Sequence, residues 1–171
     1  SHIFHYNVKG GNIVQLKMEL ENLQCYVKIQ SLRFPGKFDV IYNVEEDMLT
    51  CEMLKFILQP LMENAMEHGV IPCKKRGRIE VTGKISSDHI AEISICDNGN
   101  GISDETLQTL HQELKKDLQQ GVNHSSSGIG LINVHQRIKN YYGEEFGISV
   151  ESNQGEYTCV RVRFPVLREE V

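Results

Sequence analysis

No run of about 18 apolar residues occurs in this chain of 171, so no segment has the length to cross a bilayer as a helix. The opening Ser1-His2-Ile3-Phe4-His5 lacks the layout of a secretory leader and reads as the cut edge of a longer protein. An excess of cations is missing too. Lys and Arg number 18 against 23 Asp and Glu, a net charge of −5. That argues against a duplex nucleic-acid partner, which needs a cationic face. The short basic run Lys74, Lys75, Arg76 and Arg78 then reads as a solvated loop. None of the five cysteines (Cys25, Cys51, Cys73, Cys96, Cys159) forms a Cys-x-x-Cys pair, which removes the usual zinc spacing. Separate reduced thiols in a cytoplasmic compartment fit this pattern, with Cys96 packed in an apolar strand. No internal repeat is visible.

What is present suffices for one domain with a helical extension: 40 % of the residues are hydrophobic, enough for a core at this length. Residues 11 to 34 read as a helix with Leu16, Leu20, Leu23 and Val27 on one stripe, stopped by Pro35-Gly36. The division expected is a helical region over 1–34 and a sheet domain over 35–171. Phe38, Val40, Tyr42 and Val44 alternate with polar residues as in a half-buried strand. A helix is expected from about Cys51 to His68, with apolar positions at Leu54, Leu58, Leu61, Met62 and Ala65. Pro60 inside it predicts a kink or a tight first segment through loss of a bond to Phe56, and Gly69 is placed to end it. Residues 78–85 and 89–97 form a hairpin around Ser86-Ser87-Asp88. Ser103 caps a short helix carrying Leu107, Leu110 and Leu114. The polar stretch 119–127 reads as a mobile loop. A helix from Leu131 to Tyr142 and strands over 148–152 and 158–164 close the chain. Helices on one side of strands joined mostly in hairpins predict an α+β two-layer sandwich.

Three motifs carry candidate chemistry. Asp97 ends the apolar strand Ile93-Ser94-Ile95-Cys96-Asp97 and must find a partner there. The exocyclic amine of adenine is a suitable donor, whereas guanine would leave a buried acceptor unpaired. Gly99 and Gly101 let the backbone approach a flat base and take φ > 0; the competing reading of Asp-Asn-Gly is a hairpin turn. Gly128-Ile129-Gly130-Leu131 opens a helix, where free N–H groups attract phosphate, and Ser125 to Ser127 add hydroxyls. Asn64 offers an amide oxygen of the kind magnesium takes alongside phosphates and water. Glu63 invites the role of general base, although the helical wheel turns it about 100° from Asn64. His68, one turn from Asn64, has two open readings: phosphate donor, or cation at a helix end. The remaining histidines show no metal-ligand spacing, and His124 reads as a surface histidine.

Taken together these segments resemble the YesM/LytS-type sensor histidine kinases. Gln59-Pro60-Leu61-Met62-Glu63-Asn64-Ala65 with His68-Gly69 is similar to their N box. Asp97-Asn98-Gly99-x-Gly101, continuing into Ile102, resembles the first glycine box. Gly128-Ile129-Gly130-Leu131-Ile132-Asn133-Val134 with Arg137 and Tyr142-Gly143 resembles the second. Leu16-x-x-Glu19-Leu20 and Ile29-Gln30-x-x-Arg33-Phe34 match the lead-in helix. The likeness covers about residues 12 to 165. It implies a Bergerat-type ATP-binding fold with a mixed, mostly antiparallel sheet and an N-terminal helix. It implies ATP with Mg2+ as cofactors and a lid over roughly residues 103–127. It also implies phosphoryl transfer to a histidine on an upstream dimerisation domain, relay to a response regulator, and a homodimer whose full-length form is an inner-membrane sensor with this part in the cytoplasm. By position, Asp97 binds adenine, Asn64 the metal, and Gly99, Gly101, Gly128 and Gly130 shape the pocket.

Three departures from that pattern stand out. The Pro-His-Phe-x-x-Asn phospho-acceptor segment is missing, so this piece is expected not to phosphorylate itself in cis. Pro60 occupies the place of the general base of gyrase-like ATPases. The closing Gly-x-Gly-Thr pattern appears as Gly155-Glu156-Tyr157-Thr158, with one residue extra. Two further classes are a non-catalytic ATP/ADP sensor and an anti-sigma-type serine kinase; Gln59-Pro60 and Arg33-Phe34 argue against the second.

Overall fold

The computed structural model describes residues 11–116 and 128–166. The β-branched Ile13 and Val14 do not join the first helix, as the periodicity predicted. They form β1 (Ile13–Gln15), which pairs antiparallel with β3 (Glu52–Leu54). The helix α1 begins at Leu16 and runs to Arg33. Its first N–H groups, at Leu16 and Lys17, donate to Cys51 O and Leu49 O, which fixes its start. Leu16, Leu20 and Leu23 are buried and share the hydrophobic core with the rest of the chain. Phe34 leaves the helical conformation at φ −125°, ψ 68°, as required of a residue before proline.

After β2 (Phe38–Val44) and a 3-10 turn at Glu46–Met48 comes the main correction to the sequence reading. The expected helix over 51–68 is divided. Residues 52–54 are strand β3, and Phe56 takes φ +58°. The helix α2 (Leu58–Asn64) starts only afterwards. Pro60 is therefore its third residue, where an N–H has no intrahelical acceptor, and costs no bond. Ala65–Val70 continues the helix as a wider π turn, with Ile71 N–H donating to Met66 O at 2.9 Å. Gly69 lies within that turn and not at a cap.

The hairpin of β4 (Gly77–Ile85) and β5 (Ile90–Asp97) forms as expected. Ser103 caps α3 (Asp104–Lys115), accepting from Thr106 N–H. α4 (Ile129–Tyr142), β6 (Gly147–Asn153) and β7 (Tyr157–Pro165) complete the chain. The main sheet has the order β2-β4-β5-β7-β6. β2 and β4 are parallel and the other neighbours antiparallel. The helices cover one face, where Ile79, Val81, Ile93, Ile95, Val160 and Val162 alternate inward. The other face is polar: Thr82 bonds Ser94, Arg161 bonds Glu151, and Lys84 and Arg163 flank Glu92. This is the α+β two-layer sandwich, with a mixed, mostly antiparallel sheet and an N-terminal helix, that the sequence predicts.

Cys96 and Cys159, register partners on β5 and β7, are joined as a disulfide, whereas the sequence reading took all five thiols as separate. Cys25, Cys51 and Cys73 are not part of a disulfide among the described residues. The stretch 119–127, with Ser125 to Ser127 and His124, lies outside the described residues. Among the described residues no helix is long and apolar enough to cross a membrane.

Candidate functional site

At the C-terminal end of β5, Asp97 points to the helical side with Ile79 of β4 and Thr158 of β7 as register partners. Only 4 % of Asp97 is exposed. Desolvation pushes its carboxyl from the ordinary 3.8 up to about 6, with the Gly99 N–H opposing. That N–H donates to Asp97 Oδ1 at 2.9 Å and leaves the rest of the carboxylate's accepting capacity for a ligand.

Gly69 makes room for this carboxylate, and Gly99 and Gly101 for the backbone around it. A Cβ at Gly69 would stand 2.7 Å from Asp97 Cγ. A Cβ at Gly99 would stand 2.5 Å from Gly69 Cα, and one at Gly101 would be 2.7 Å from Asn153 C. The predicted positive φ holds for Gly101, at +64°, and not for Gly99. Gly99 and Gly101 are thus required by backbone packed on backbone, and Gly69 by the carboxylate itself. The segment 97–101 is a strand-to-helix link and not a hairpin turn. It is fastened on both sides: Asn100 N–H donates to Gly69 O, Gly155 N–H donates to Asn100 O, and Ile102 N–H donates to Ser152 Oγ.

A cleft of about 380 Å³ opens over this floor. Asn64 and His68 border one side, Asp97, Gly101, Ile102 and Thr158 the base, and Gly128 and Leu131 the start of α4. Gly128 sits at φ +106° in the position before the helix. Residues not singled out from the sequence also line the cleft: Asn100, Thr106, Thr109, Leu110, Glu113 and Gln154. The signal for α3 as a wall was its cap at Ser103; for Thr158 it was the altered Gly155-to-Thr158 pattern.

Other sequence candidates fall outside the cleft lining. Gly99 is buried beneath it against Gly69. Gly130 faces Pro60, whose Cβ would lie 3.8 Å from an added Cβ, and Ile129 is half-buried beside it. Glu63 accepts from Gln59 Nε2 at 2.9 Å and, with Glu67, stands near Tyr26 of α1, whose phenol is pushed up to about 12 by burial first and by those carboxylates second.

A larger cavity, about 550 Å³, is lined by Glu45, Asp47, Thr50, Ser86 and His89 among others. All five of those side chains are exposed, and none belongs to the glycine segments. The smaller cleft, with a buried carboxylate as its floor, is the better candidate.

Residues 51–168 match the family described as histidine kinase-, DNA gyrase B-, and HSP90-like ATPase. The sensor histidine kinase YpdA of Escherichia coli (strain K12) is 31 % identical over 146 residues, 84 % of this chain and 24 % of that protein. The sensor protein LytS of Bacillus subtilis (strain 168) is 30 % identical over 166 residues, 95 % of this chain and 27 % of that protein. The chain thus spans about a quarter of the length of these curated relatives. The catalytic domain of histidine kinase ThkA superposes with a TM-score of 0.65 at 13 % identity, over 90 % of this chain and 94 % of that one, and so shares its fold.

Proposed function

Since the chain belongs to the family of histidine kinase-, DNA gyrase B-, and HSP90-like ATPases, we propose that it is the ATP-binding catalytic domain of a two-component sensor histidine kinase. The single observation that carries the nucleotide assignment is the buried Asp97 carboxylate, with Gly99 N–H on one oxygen and an open cleft beside it. An adenine amine supplies the donor that this carboxylate lacks. Guanine presents an acceptor at the same point and would be rejected.

The triphosphate would extend from this floor toward Asn64, His68 and the start of α4, where the first N–H groups of a helix are without internal partners. The donor set suits a magnesium ion held largely by phosphates. Among the described residues no cluster of three His, Cys, Asp or Glu can hold a metal, while Asn64 offers one amide oxygen to the cleft. When bound, magnesium neutralises charge on the transferring phosphoryl group. The chain's own contribution is to bind the base, orient the phosphates and keep water from the reacting end. The acceptor is a histidine on an upstream dimerisation domain, with α1 (Leu16–Arg33) in the segment that leads from it. Relay to a response regulator follows, within a homodimer whose cytoplasmic portion includes this domain below an inner-membrane sensor.

A second reading, a non-catalytic ATP/ADP sensor, is favoured by Pro60 in the expected base position and by Glu63 outside the cleft lining. Thermal shift with ATP, ADP and GTP, each with and without magnesium, tests the pocket. Stabilisation by ATP and ADP but not GTP is expected, and equal response to GTP would overturn the assignment. Label transfer from ATP to a separately supplied acceptor-histidine domain then separates kinase from sensor.

A further inference from the structure

Glu19 belongs to the first turn of α1, yet only 4 % of it is exposed. Its carboxylate accepts from three backbone N–H groups outside its own helix: Phe56 at 2.8 Å, Ile57 at 3.2 Å and Leu58 at 3.4 Å. Those of Ile57 and Leu58 are donors that the start of α2 leaves unpaired. Ile57, in the capping position of α2, has no side chain able to cap. The cap is delivered by another element, and a carboxylate is the kind of group that the positive end of a helix favours.

The same junction is gripped from the opposite side. Arg137 of α4 donates to Lys55 O at 2.7 Å and to Phe56 O at 3.2 Å. Between the two clamps Phe56 holds φ +58°, a conformation a bulky L residue adopts only when its surroundings impose it. Its ring is 62 % exposed and supplies little of that restraint. So α1 and α4, through one carboxylate and one guanidinium, decide where α2 begins. α2 is seven residues long, and its last residue is Asn64.

We infer that Glu19 is a positioning residue for the phosphate end of the cleft: by fixing the start of α2 from α1, it sets where Asn64 presents its amide. The inference rests on the reading of Asn64 as the metal-side ligand proposed above. Displacement of α1 then changes the affinity for Mg·ATP. The adenine end is held instead by strand register, Asp97 pairing with Ile79 of β4 and Thr158 of β7, while Gly69 on the turn that continues α2 only abuts it.

The test is calorimetric titration of wild type, Glu19→Gln and Arg137→Gln, well below their melting temperatures, with folding checked by circular dichroism. Each protein is titrated with Mg·ATP and with ATP in EDTA. Both clamps act on residues 55–58 and not on Asn64 itself, so the loss of affinity expected from moving its amide is up to about tenfold, the low end for outer partners of a metal ligand. That loss is expected for Mg·ATP in both variants, with binding of metal-free ATP unchanged. Should Glu19→Gln fail to fold, Arg137→Gln carries the same expectation through the other clamp. Variants that melt earlier yet bind Mg·ATP like wild type would reduce the clamp to a purely structural role and overturn the inference. Equal weakening for both nucleotide forms would overturn it as well. A wild-type protein indifferent to magnesium would instead overturn the reading of Asn64, and the inference with it.

Discussion

Gly69 and the Asp97 carboxylate occupy adjoining space with no room for one added methyl group: a Cβ at 69 would lie 2.7 Å from Asp97 Cγ. Gly69 has no positive φ, so alanine meets no backbone obstacle there and whatever it costs is steric. Gly69→Ala is expected to cost about 1–3 kcal/mol, the usual range for overpacking, as measured by urea unfolding. It should also push the carboxylate aside and abolish the thermal shift produced by ATP. A variant that binds ATP normally would show that the floor of the cleft lies elsewhere.

Asp97 gives a pH signature of its own. Its folded pKa, about 6, lies above the ordinary 3.8, so between those values the native state holds a proton that the unfolded state has released. Stability without nucleotide therefore falls as pH rises from about 4 to about 6 and is then level in this respect. Asp97→Asn removes this penalty, which is at most about 3 kcal/mol from the shift at 1.36 kcal/mol per pH unit. At pH 7.5 the variant should melt at the wild-type temperature or above it. It should nevertheless lose ATP binding, because with Gly99 N–H on the oxygen its amide nitrogen would face the adenine amine. Wild-type affinity for ATP should weaken below about pH 6. Retained ATP affinity in Asp97→Asn contradicts the assignment.

His135 works in the opposite sense. Its ring accepts from Ile148 N–H at 2.9 Å through Nδ1 and bonds the Leu114 backbone, tying α4 to β6 and α3. Burial first, and the Lys139 charge second, hold its pKa below the ordinary 6.5. As pH falls below 6.5 the unfolded chain takes up a proton that the native ring resists, so stability declines toward acid. His135→Gln should flatten that decline in melts between pH 5 and pH 7, while lowering stability at pH 7 through loss of part of the network. An unchanged slope would mean that another group controls it.

Asn64→Leu separates the two ends of the nucleotide. Replacing the amide by an apolar group of similar size is expected to remove the magnesium-dependent part of ATP affinity, on the order of tenfold, and to leave binding in EDTA intact. Titration in the two buffers reads the difference directly.

Much of this was legible from residue patterns. The alternation along 38–44 marked a strand because one wet face forces period two, and the turn residues Ser86-Ser87-Asp88 marked the hairpin of 78–85 and 89–97. Ser103 announced α3 because capping is a local interaction. Asp97, Asn64 and Gly101 came together in one cleft as their motif order suggested. What escaped was set by distant contacts. The apolar spacing of Leu54 and Leu58 suits a helix, yet residue 54 pairs with Ile13 across a two-strand ladder, and Glu19 reaches across to start α2 at Leu58. The role of Gly69 was equally hidden, since a glycine after a helical stripe looks like a stop signal, and only the neighbouring carboxylate shows it to be a gap kept open.

The two ends of the cleft are built to different mechanical standards. The base-reading floor is locked into a five-stranded sheet, whereas the amide at the far end rides on a short helix moored by two side chains. On the proposed assignment, the choice of base would then be constant, while the grip on the reactive end would be adjustable from outside the pocket.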